Sequence, residues 1–125
     1  MSPIKLRRNR KMKEIKAIIQ PFMPTKVIEA LCKISNFPGL TITKVQGFGK
    51  EKCKNGIPHK PIEEIIDYVP KVKLEVIVNA KMLDIVVNAI LRHAHTGNKG
   101  DGKIFIYHVK DTIRIMTGEC VLEAV

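Results

Sequence analysis

The sequence predicts an α+β fold in which one antiparallel sheet carries two helices on a single face. Stretches with alternating apolar residues are separated by two stretches with helical apolar spacing, in the order strand, helix, strand, long loop, strand, helix, strand. A chain of 125 residues has room for one such domain with a core and hardly for two. Its hydrophobic content of 45% is ordinary for a globular fold.

The first half of the predicted domain consists of a strand, a helix and a second strand. In KEIKAIIQPF, Ile15, Ala17 and Ile19 alternate as in a buried strand, which the following prolines end. Thr25 is the predicted N-cap of a helix whose apolar residues have the spacing of a one-sided helix. Those apolar residues are Val27, Ile28, Leu31 and Ile34. SNFPG ends this helix, and LTITKVQG resumes the alternation of a strand.

The second half repeats this order. VPKVKLEVIV is the clearest strand, because its apolar residues alternate with charged ones. A helix is predicted from Met82 to about Ala94, followed by KIFIYHV as a fourth strand and TIRIM as a short fifth strand. This is the split βαβ unit repeated twice, the ferredoxin-like arrangement. Such a sheet has one uncovered face, and with so many apolar residues available we expect self-association to bury it.

Two segments fall outside the predicted sandwich. Residues 1–11 are a basic extension that we expect to be disordered, and residues 12–125 form the domain. The extension holds five basic residues, and without them the net charge of +10 becomes +5. Few aromatic residues are available to stack on bases, so the composition argues against nucleic acid as a partner. A Pro- and Gly-punctuated loop at about 49–68 is long enough to indicate a functional or disordered segment.

Cysteine usage and hydropathy indicate a cytoplasmic protein. The three cysteines are odd in number and widely spaced, which fits a reducing compartment rather than a disulfide framework. No apolar run has membrane-spanning length, and the basic start lacks the apolar stretch of a secretory signal. We therefore expect no direct membrane insertion.

The segment TGNKGDGKIFIY has the composition of a phosphate-binding loop. Gly97–Lys103 satisfies the first seven positions of the P-loop pattern, but Ile104 replaces the Ser or Thr that places a hydroxyl on magnesium. A P-loop also opens a helix, whereas this loop opens a strand, so it is not a P-loop. Its glycines still allow backbone N–H groups to approach an anion, with Lys103 and Arg114 as cations. Alternatively, the glycines only provide positive φ in a tight turn.

The segment from Met12 to the C-terminus resembles the PII nitrogen-regulatory signal proteins. The resemblance rests on KAIIQPF, TITKVQGFGK, VPKVKLEVIV, TGNKGDGKIFI and IRIMTGE. It implies a homotrimer of ferredoxin-like subunits that binds ATP or ADP in inter-subunit clefts, in the family often together with 2-oxoglutarate. It also implies that the long loop, called the T-loop, contacts a protein partner. That partner would be a membrane transporter such as an ammonium channel, or a nitrogen-metabolism enzyme, and the chain itself would not be an enzyme.

The resemblance also implies a set of site residues. Gly100–Lys103 would cradle the phosphates, and Arg114 would reach their terminal end. Thr41 and Glu75 would meet the adenine and its surroundings, and Lys71 would contact the oxoacid or an acidic group of the loop. The full nucleotide-binding set is Thr41, Gly47, Gly49, Lys50, Lys71, Glu75, Gly100, Asp101, Gly102, Lys103 and Arg114. The T-loop residues expected to contact the partner are Lys52, Cys53, Lys54, Asn55, Ile57, His59 and Ile62.

Three departures from the family pattern affect the expected ligands. Met116 stands where the family has a second arginine, which removes one cation from the triphosphate end. Glu51 replaces a glutamine that helps hold magnesium and 2-oxoglutarate. A carboxylate can bind Mg²⁺ but repels the dianionic oxoacid, so the sequence weighs against 2-oxoglutarate. From Glu51 to Asp67 there is no Ser, Thr or Tyr, so regulation would depend on ligand occupancy rather than on covalent modification.

Alternative functions are a PII-like regulator of a metal-efflux or other membrane transporter, a slow ATPase, and a nucleic-acid-binding protein. Cys53 and His59 are potential soft-metal ligands, but two ligands six residues apart are a weak indication of a metal site. No nucleophile–base pair accompanies the glycine loop, so the pattern does not favour catalysis.

Overall fold

The computed structural model describes residues 11–48 and 69–121, which form one sheet with two helices. The strands are β1 (Met12–Ile19), β2 (Thr41–Gly47), β3 (Val69–Asn79) and β4 (Lys103–His108). The helices are α1 (Pro24–Cys32) and α2 (Leu83–Ala94). The strand order is β2-β3-β1-β4, and every neighbouring pair is antiparallel. The predicted ferredoxin-like α+β sandwich is therefore confirmed.

The core lies between the two helices and one face of the sheet. β1 buries Ile15, Ala17 and Ile19, and β3 buries every second residue from Val72 to Val78. The helices contribute Val27, Leu31, Val86, Ile90 and Ala94. Full burial of one aliphatic side chain contributes roughly 1.5–3 kcal/mol. The alternation in the two central strands thus identifies the face that drives folding.

Helix α1 begins without the predicted cap. Pro24 occupies its first turn, Met23 is the N-cap residue, and no side chain caps the helix. Proline suits this place because its φ is already helical and its missing N–H would have no partner there. Thr25 consequently lies inside the helix, and its prediction as the N-cap is wrong. Ile34 lies beyond the end of the helix but still packs against the core.

The predicted fifth strand is also wrong. Residues 111–121, here called the C-terminal hairpin, contain only an isolated bridge between Ile113 and Cys120. Gly118 N donates to the carbonyl of Arg114 at 2.7 Å, which closes the turn. Ile115 and Met116 at its tip are 98% and 92% exposed. The apolar alternation of TIRIM therefore does not correspond to burial within this chain.

The second face of the sheet carries charged and aromatic side chains that no other described element covers. Lys16 on β1 lies 5.5 and 5.0 Å from the ring centroids of Phe105 and Tyr107 on β4. Its contact with the Tyr107 hydroxyl raises the pKa of Lys16. Lys73 and Glu75 on β3 form an ion pair at 3.6 Å. This open face is accessible to a second copy of the chain, as the expected self-association requires.

The described helices are too short, or not apolar enough, to cross a membrane.

Candidate functional site

The glycine loop, residues 96–103, connects α2 to β4 and is closed by its own hydrogen bonds. The Asp101 carboxylate accepts from the backbone N–H groups of Thr96 and Gly97 at 2.8 and 2.9 Å, and from the Thr96 hydroxyl. These hydrogen bonds lower the pKa of Asp101, and the bond from the Thr96 hydroxyl has the largest effect. Because a carboxylate repels phosphate, the contribution of Asp101 to an anion site would come through the shape of the loop. The sequence pattern did not indicate this anchoring role.

Gly102 is where the loop passes closest to the sheet. Its φ of 97° lies in the left-handed region, which side chains rarely adopt. A Cβ at this position would overlap the backbone carbonyl oxygen of Ile18. Glycine is therefore required for both reasons, and its conformation places Lys103 at the start of β4, opposite Ile18.

The middle of the loop lies against the side chains of Lys71 and Gln20. The Lys71 ammonium donates to the Gly100 carbonyl oxygen at 2.7 Å. A Cβ at Gly100 would overlap the Gln20 side-chain amide and would lie 3.4 Å from Lys71 Nζ. A Cβ at Gly47 would lie 3.7 Å from the Lys71 side chain. The structure thus brings these predicted residues together at one end of the sheet, called here the glycine-loop end. Gln20 was missed, because only the tertiary contact with Gly100 identifies it.

Thr41 and Arg114 lie toward the other end of the sheet, and Glu75 lies at the middle of β3; this region is called here the arginine end. Thr41 pairs with Glu75 in the register of β2 and β3. All three line a cavity of about 680 Å³, whose apolar wall includes Leu40 and Ile77. The cavity also contains a second carboxylate, Asp111. A guanidinium, carboxylates and an apolar wall in one cavity can bind a flat, partly polar ring, with the guanidinium next to an anionic group. The two predicted contacts of the adenine are therefore neighbours in space.

The glycine-loop end and the arginine end are separated within one protomer. Lys71 and Glu75 are four residues apart on β3, which corresponds to about 13 Å along a strand. Lys103 begins β4, whereas Arg114 follows the end of that strand. Lys103 and Arg114, which were predicted to bind the same polyphosphate, therefore lie at opposite ends of the sheet. They can converge only if the glycine-loop end of one protomer faces the arginine end of another.

A second cavity, of about 400 Å³, lies beside the glycine loop between α2 and β4. Its wall is mostly aliphatic and includes Ile90, Ile104 and Ile106, with His95 and Lys103 among the polar residues. An aliphatic wall suits an apolar group better than a polyphosphate. This cavity therefore does not replace the backbone of the glycine loop as the candidate phosphate site.

The other predicted site residues lie outside the described residues. They are Gly49, Lys50, Glu51, Lys52, Cys53, Lys54, Asn55, Ile57, His59 and Ile62. Their roles, including magnesium binding by Glu51, stay predictions. In the part of the chain that the structure describes, no group of three or more His, Cys, Asp or Glu side chains could hold a metal ion.

Comparisons with known proteins agree with the fold. The family model described as Nitrogen regulatory protein P-II matches residues 12–119. The chain is 47% identical over 108 residues to a Nitrogen regulatory protein P-II of Haemophilus influenzae, covering 86% of this chain and 95% of the relative. It is 41% identical over 114 residues to that of Bradyrhizobium diazoefficiens, covering 91% and 100%. The crystal structure of Arabidopsis thaliana PII bound to citrate superposes with a TM-score of 0.69 at 35% identity, covering 89% of this chain and 86% of that one.

Proposed function

The chain belongs to the nitrogen regulatory protein P-II family of signal-transduction proteins, and from that premise we propose that it binds ATP and ADP between the protomers of a homotrimer. Nucleotide occupancy would then decide whether the segment 49–68 can engage a protein partner. The observation that carries this proposal is that the residues predicted to bind the nucleotide lie at two opposite ends of one sheet. The glycine-loop end has no contacts for the base, and the arginine end lacks the glycine loop that would hold the rest of the polyphosphate.

The glycine-loop end is the proposed phosphate site. Its backbone is held in place by Asp101, Lys71 and the close approach of Gly102 to Ile18. The backbone N–H groups of Thr96, Gly97, Asn98 and Asp101 donate within the loop. A loop fixed in this way can present its other N–H groups to an anion with little loss of conformational entropy on binding. Lys103 adds a cation at the exit of the loop. The energetic role of the loop is therefore preorganisation, and the side chains that hold it need not touch the ligand.

The arginine end of the neighbouring protomer is the proposed site for the base and for the terminal phosphate. The Glu75 carboxylate can accept a hydrogen bond from an amino or hydroxyl group, and the apolar wall of the cavity can cover a ring face. Arg114 offers a forked donor that fits phosphate oxygens. Each site would therefore need residues from two chains, which makes the trimer the functional unit.

Discrimination between ATP and ADP would depend on the terminal phosphate. A ligand shifts a conformational equilibrium only by its different affinity for the two states. Arg114 is the only arginine of the hairpin. Met116 stands at the position where the family resemblance implies a second arginine. We expect a smaller difference between ATP and ADP than two arginines would give.

Carboxylate effectors are a separate question. The Arabidopsis relative binds citrate. In this chain the Lys71 ammonium already donates to the loop carbonyl of Gly100, and Glu51 would add a negative charge close to any oxoacid. We therefore propose that adenine nucleotides are the main ligands, with Mg²⁺ as a companion of ATP, and that the response to 2-oxoglutarate is weak.

The partner is proposed to be a protein, either a membrane transporter such as an ammonium channel or an enzyme of nitrogen metabolism. A pull-down with immobilised full-length chain, performed with ATP, with ADP and without nucleotide, identifies it. A partner whose recovery changes with the nucleotide supports the gating model. A partner recovered equally under all three conditions contradicts it.

Calorimetry with ATP, ADP and 2-oxoglutarate in the presence of Mg²⁺ tests the ligands, and sedimentation equilibrium tests the trimer. We expect micromolar nucleotide binding, one site per protomer. Lys103→Ala should weaken ATP binding about tenfold or more, since a charge-assisted hydrogen bond contributes roughly 1.5–3 kcal/mol. Lys110→Ala, an exposed lysine beyond β4, is the matched control and should leave binding unchanged. A monomer that releases no heat with either nucleotide would overturn the proposal.

A further inference from the structure

The outer surfaces of α1 and α2 enclose a groove of about 650 Å³ on the side of the molecule opposite the open sheet face. α1 contributes Lys26, Glu29 and Ala30, and Lys33 is the C-cap residue that follows it. α2 contributes Ile85, Asn88, Ala89, Arg92 and His93. In each helix these residues follow the i, i+3, i+4, i+7 spacing of a single face. Two straight rows of side chains therefore face each other along the groove.

The two helices run antiparallel, since each returns over the sheet from one of the antiparallel strands β1 and β3. The start of α1 consequently lies beside the end of α2. This places Lys26 near Arg92 at one end of the groove and Lys33 near Ile85 at the other. Lys26 and Lys33 are seven residues apart, which is about 10 Å along a helix.

The groove combines a small apolar floor with a cationic rim. The half-buried alanines Ala30 and Ala89 line it, and alanine side chains allow close approach of another backbone. Ile85 is 53% exposed and adds a larger aliphatic surface beside the two alanines. The result is an open groove with Ala30, Ala89 and Ile85 as its apolar contacts.

The rim carries three cations and one carboxylate. Lys26, Lys33 and Arg92 are exposed, and within residues 11–48 and 69–121 none of them is paired with a carboxylate. Glu29 is the single acidic residue of the groove. The surface is therefore complementary to a segment that bears negative charges on either side of an apolar strip.

We propose that this groove is a second docking site, which binds an acidic amphipathic helix of a protein partner. Such a helix would place small or aliphatic side chains over the two alanines and Ile85, with carboxylates about seven residues apart facing Lys26 and Lys33. Helix-in-groove recognition uses this arrangement of anchors. The groove lies on the opposite side from the face expected to self-associate, so it stays accessible in a trimer.

An acidic peptide fits the groove better than a nucleic acid does. Nucleic-acid surfaces combine cations with aromatic side chains on which bases stack, and no Phe, Tyr or Trp is among the described residues that line this groove. Glu29 also lies between Lys26 and Lys33 on the α1 row and would repel a continuous phosphate backbone. A carboxylate pattern interrupted by apolar residues avoids that repulsion.

The test uses the full chain and a fluorescent helical peptide of about 14 residues, with glutamates seven residues apart and leucine and alanine between them. The same peptide with glutamine for each glutamate and an oligothymidine strand are the comparison probes. The groove variant is Lys33→Glu with Arg92→Glu. The charge-matched control is Lys44→Glu with Lys110→Glu, two exposed lysines outside the groove.

The expected result is that the groove variant weakens acidic-peptide binding at least about fivefold more than the control does. The glutamine peptide should bind more weakly than the acidic one. Ile85→Gln, which leaves the charge unchanged, should also weaken binding, by about threefold or more. ATP binding should be the same in all of these variants, which separates this proposal from the nucleotide site.

Three results would overturn the proposal. One is equal weakening by the groove and control variants, because it indicates attraction to net charge alone. Another is equal binding of the acidic and glutamine peptides. The third is oligothymidine binding that is tighter than peptide binding and is lost in the groove variant, which would reassign the groove to nucleic acid.

Discussion

The glycine loop and the C-terminal hairpin are both turns that contain a glycine at positive φ, yet they are held very differently. The glycine loop is fixed by Asp101, by Lys71 and by the contact of Gly102 with the Ile18 carbonyl. In the hairpin, a Cβ added at Gly118 would meet no atom within 4 Å. The comparison indicates that one half of the proposed site is complete within a single protomer. The other half projects from the surface, where a neighbouring protomer would meet it.

Replacing the two glycines should give the largest contrast. Gly102→Ala forces a Cβ into the Ile18 carbonyl at an unfavourable φ, so the loop and the start of β4 must move. We expect a loss of at least about 3 kcal/mol in the free energy of unfolding. Gly118→Ala should lower the free energy of unfolding by only roughly 1–2 kcal/mol, which is the cost of an alanine in the left-handed conformation. Urea denaturation measures both, and equal losses would mean that the close approach at Gly102 does not constrain the loop.

The second contrast separates binding from stability. Arg114→Gln should weaken ATP binding roughly tenfold to a hundredfold, because a charge-assisted hydrogen bond contributes about 1.5–3 kcal/mol. The same change should alter the free energy of unfolding by no more than about 0.5 kcal/mol, since Arg114 is exposed. Calorimetry and urea denaturation of the same preparation test this. Unchanged ATP affinity would remove Arg114 from the site.

A substitution that adds a cation to the hairpin tests its proposed role in binding the terminal phosphate. Met116 is 92% exposed, and the family resemblance implies an arginine at this position. Met116→Arg should strengthen ATP binding about tenfold and ADP binding less, because the added cation would meet the terminal phosphate. Met116→Gln, which adds a polar side chain without charge, is the control. If both variants strengthen binding equally, charge at this position is not the determinant.

The smallest expected effect concerns the anchor of the glycine loop. The hydrogen bonds from Thr96 and Gly97 lower the pKa of Asp101 below its unfolded value of about 3.9. A carboxyl group with a lowered folded-state pKa contributes stability above its unfolded pKa, and that contribution is lost as the pH falls through the folded-state value. Asp101→Asn should therefore be less stable than the wild type at neutral pH. The difference in Tm should shrink below about pH 4.

Melting curves from neutral to acidic pH provide the check on Asp101. Both proteins lose the stability of their other carboxylates in the same way, so only the difference between them reports on Asp101. A difference in Tm that stays constant or grows as the pH falls would show that the carboxylate charge does not anchor the loop.

Much of the fold could be predicted because local pattern and burial coincide in the central strands. β1 and β3 pack one face against the helices, so the apolar residues of their alternating pattern are the buried core residues. β2 was predicted as a strand, but most of its side chains are exposed because it lies at the sheet edge. The prediction of Thr25 as the N-cap was wrong, because α1 already begins at Pro24. The predicted fifth strand was wrong, because the apolar alternation of TIRIM is not matched by burial.

The candidate site was predictable in its residue types but not in its geometry. The composition of the loop and the family resemblance pointed to residues 100–103 and to Arg114. The hydrogen bond from Lys71 to Gly100 and the packing of Gln20 depend on residues far apart in sequence, which no local pattern encodes. The separation of Lys103 from Arg114 likewise follows from the strand register, and no local pattern shows it, although the inter-subunit cleft implied by the family resemblance requires residues from two chains.

Mixed trimers test the central claim most directly, namely that each nucleotide lies between the glycine-loop end of one protomer and the arginine end of the next. Lys103→Ala and Arg114→Ala chains are each expected to bind ATP weakly. When they are denatured together and refolded as a mixture, every trimer containing both chains should regain one site with an intact Lys103 and an intact Arg114. ATP binding of wild-type affinity at about one site per mixed trimer supports the account. A mixture that binds no better than its two components contradicts it.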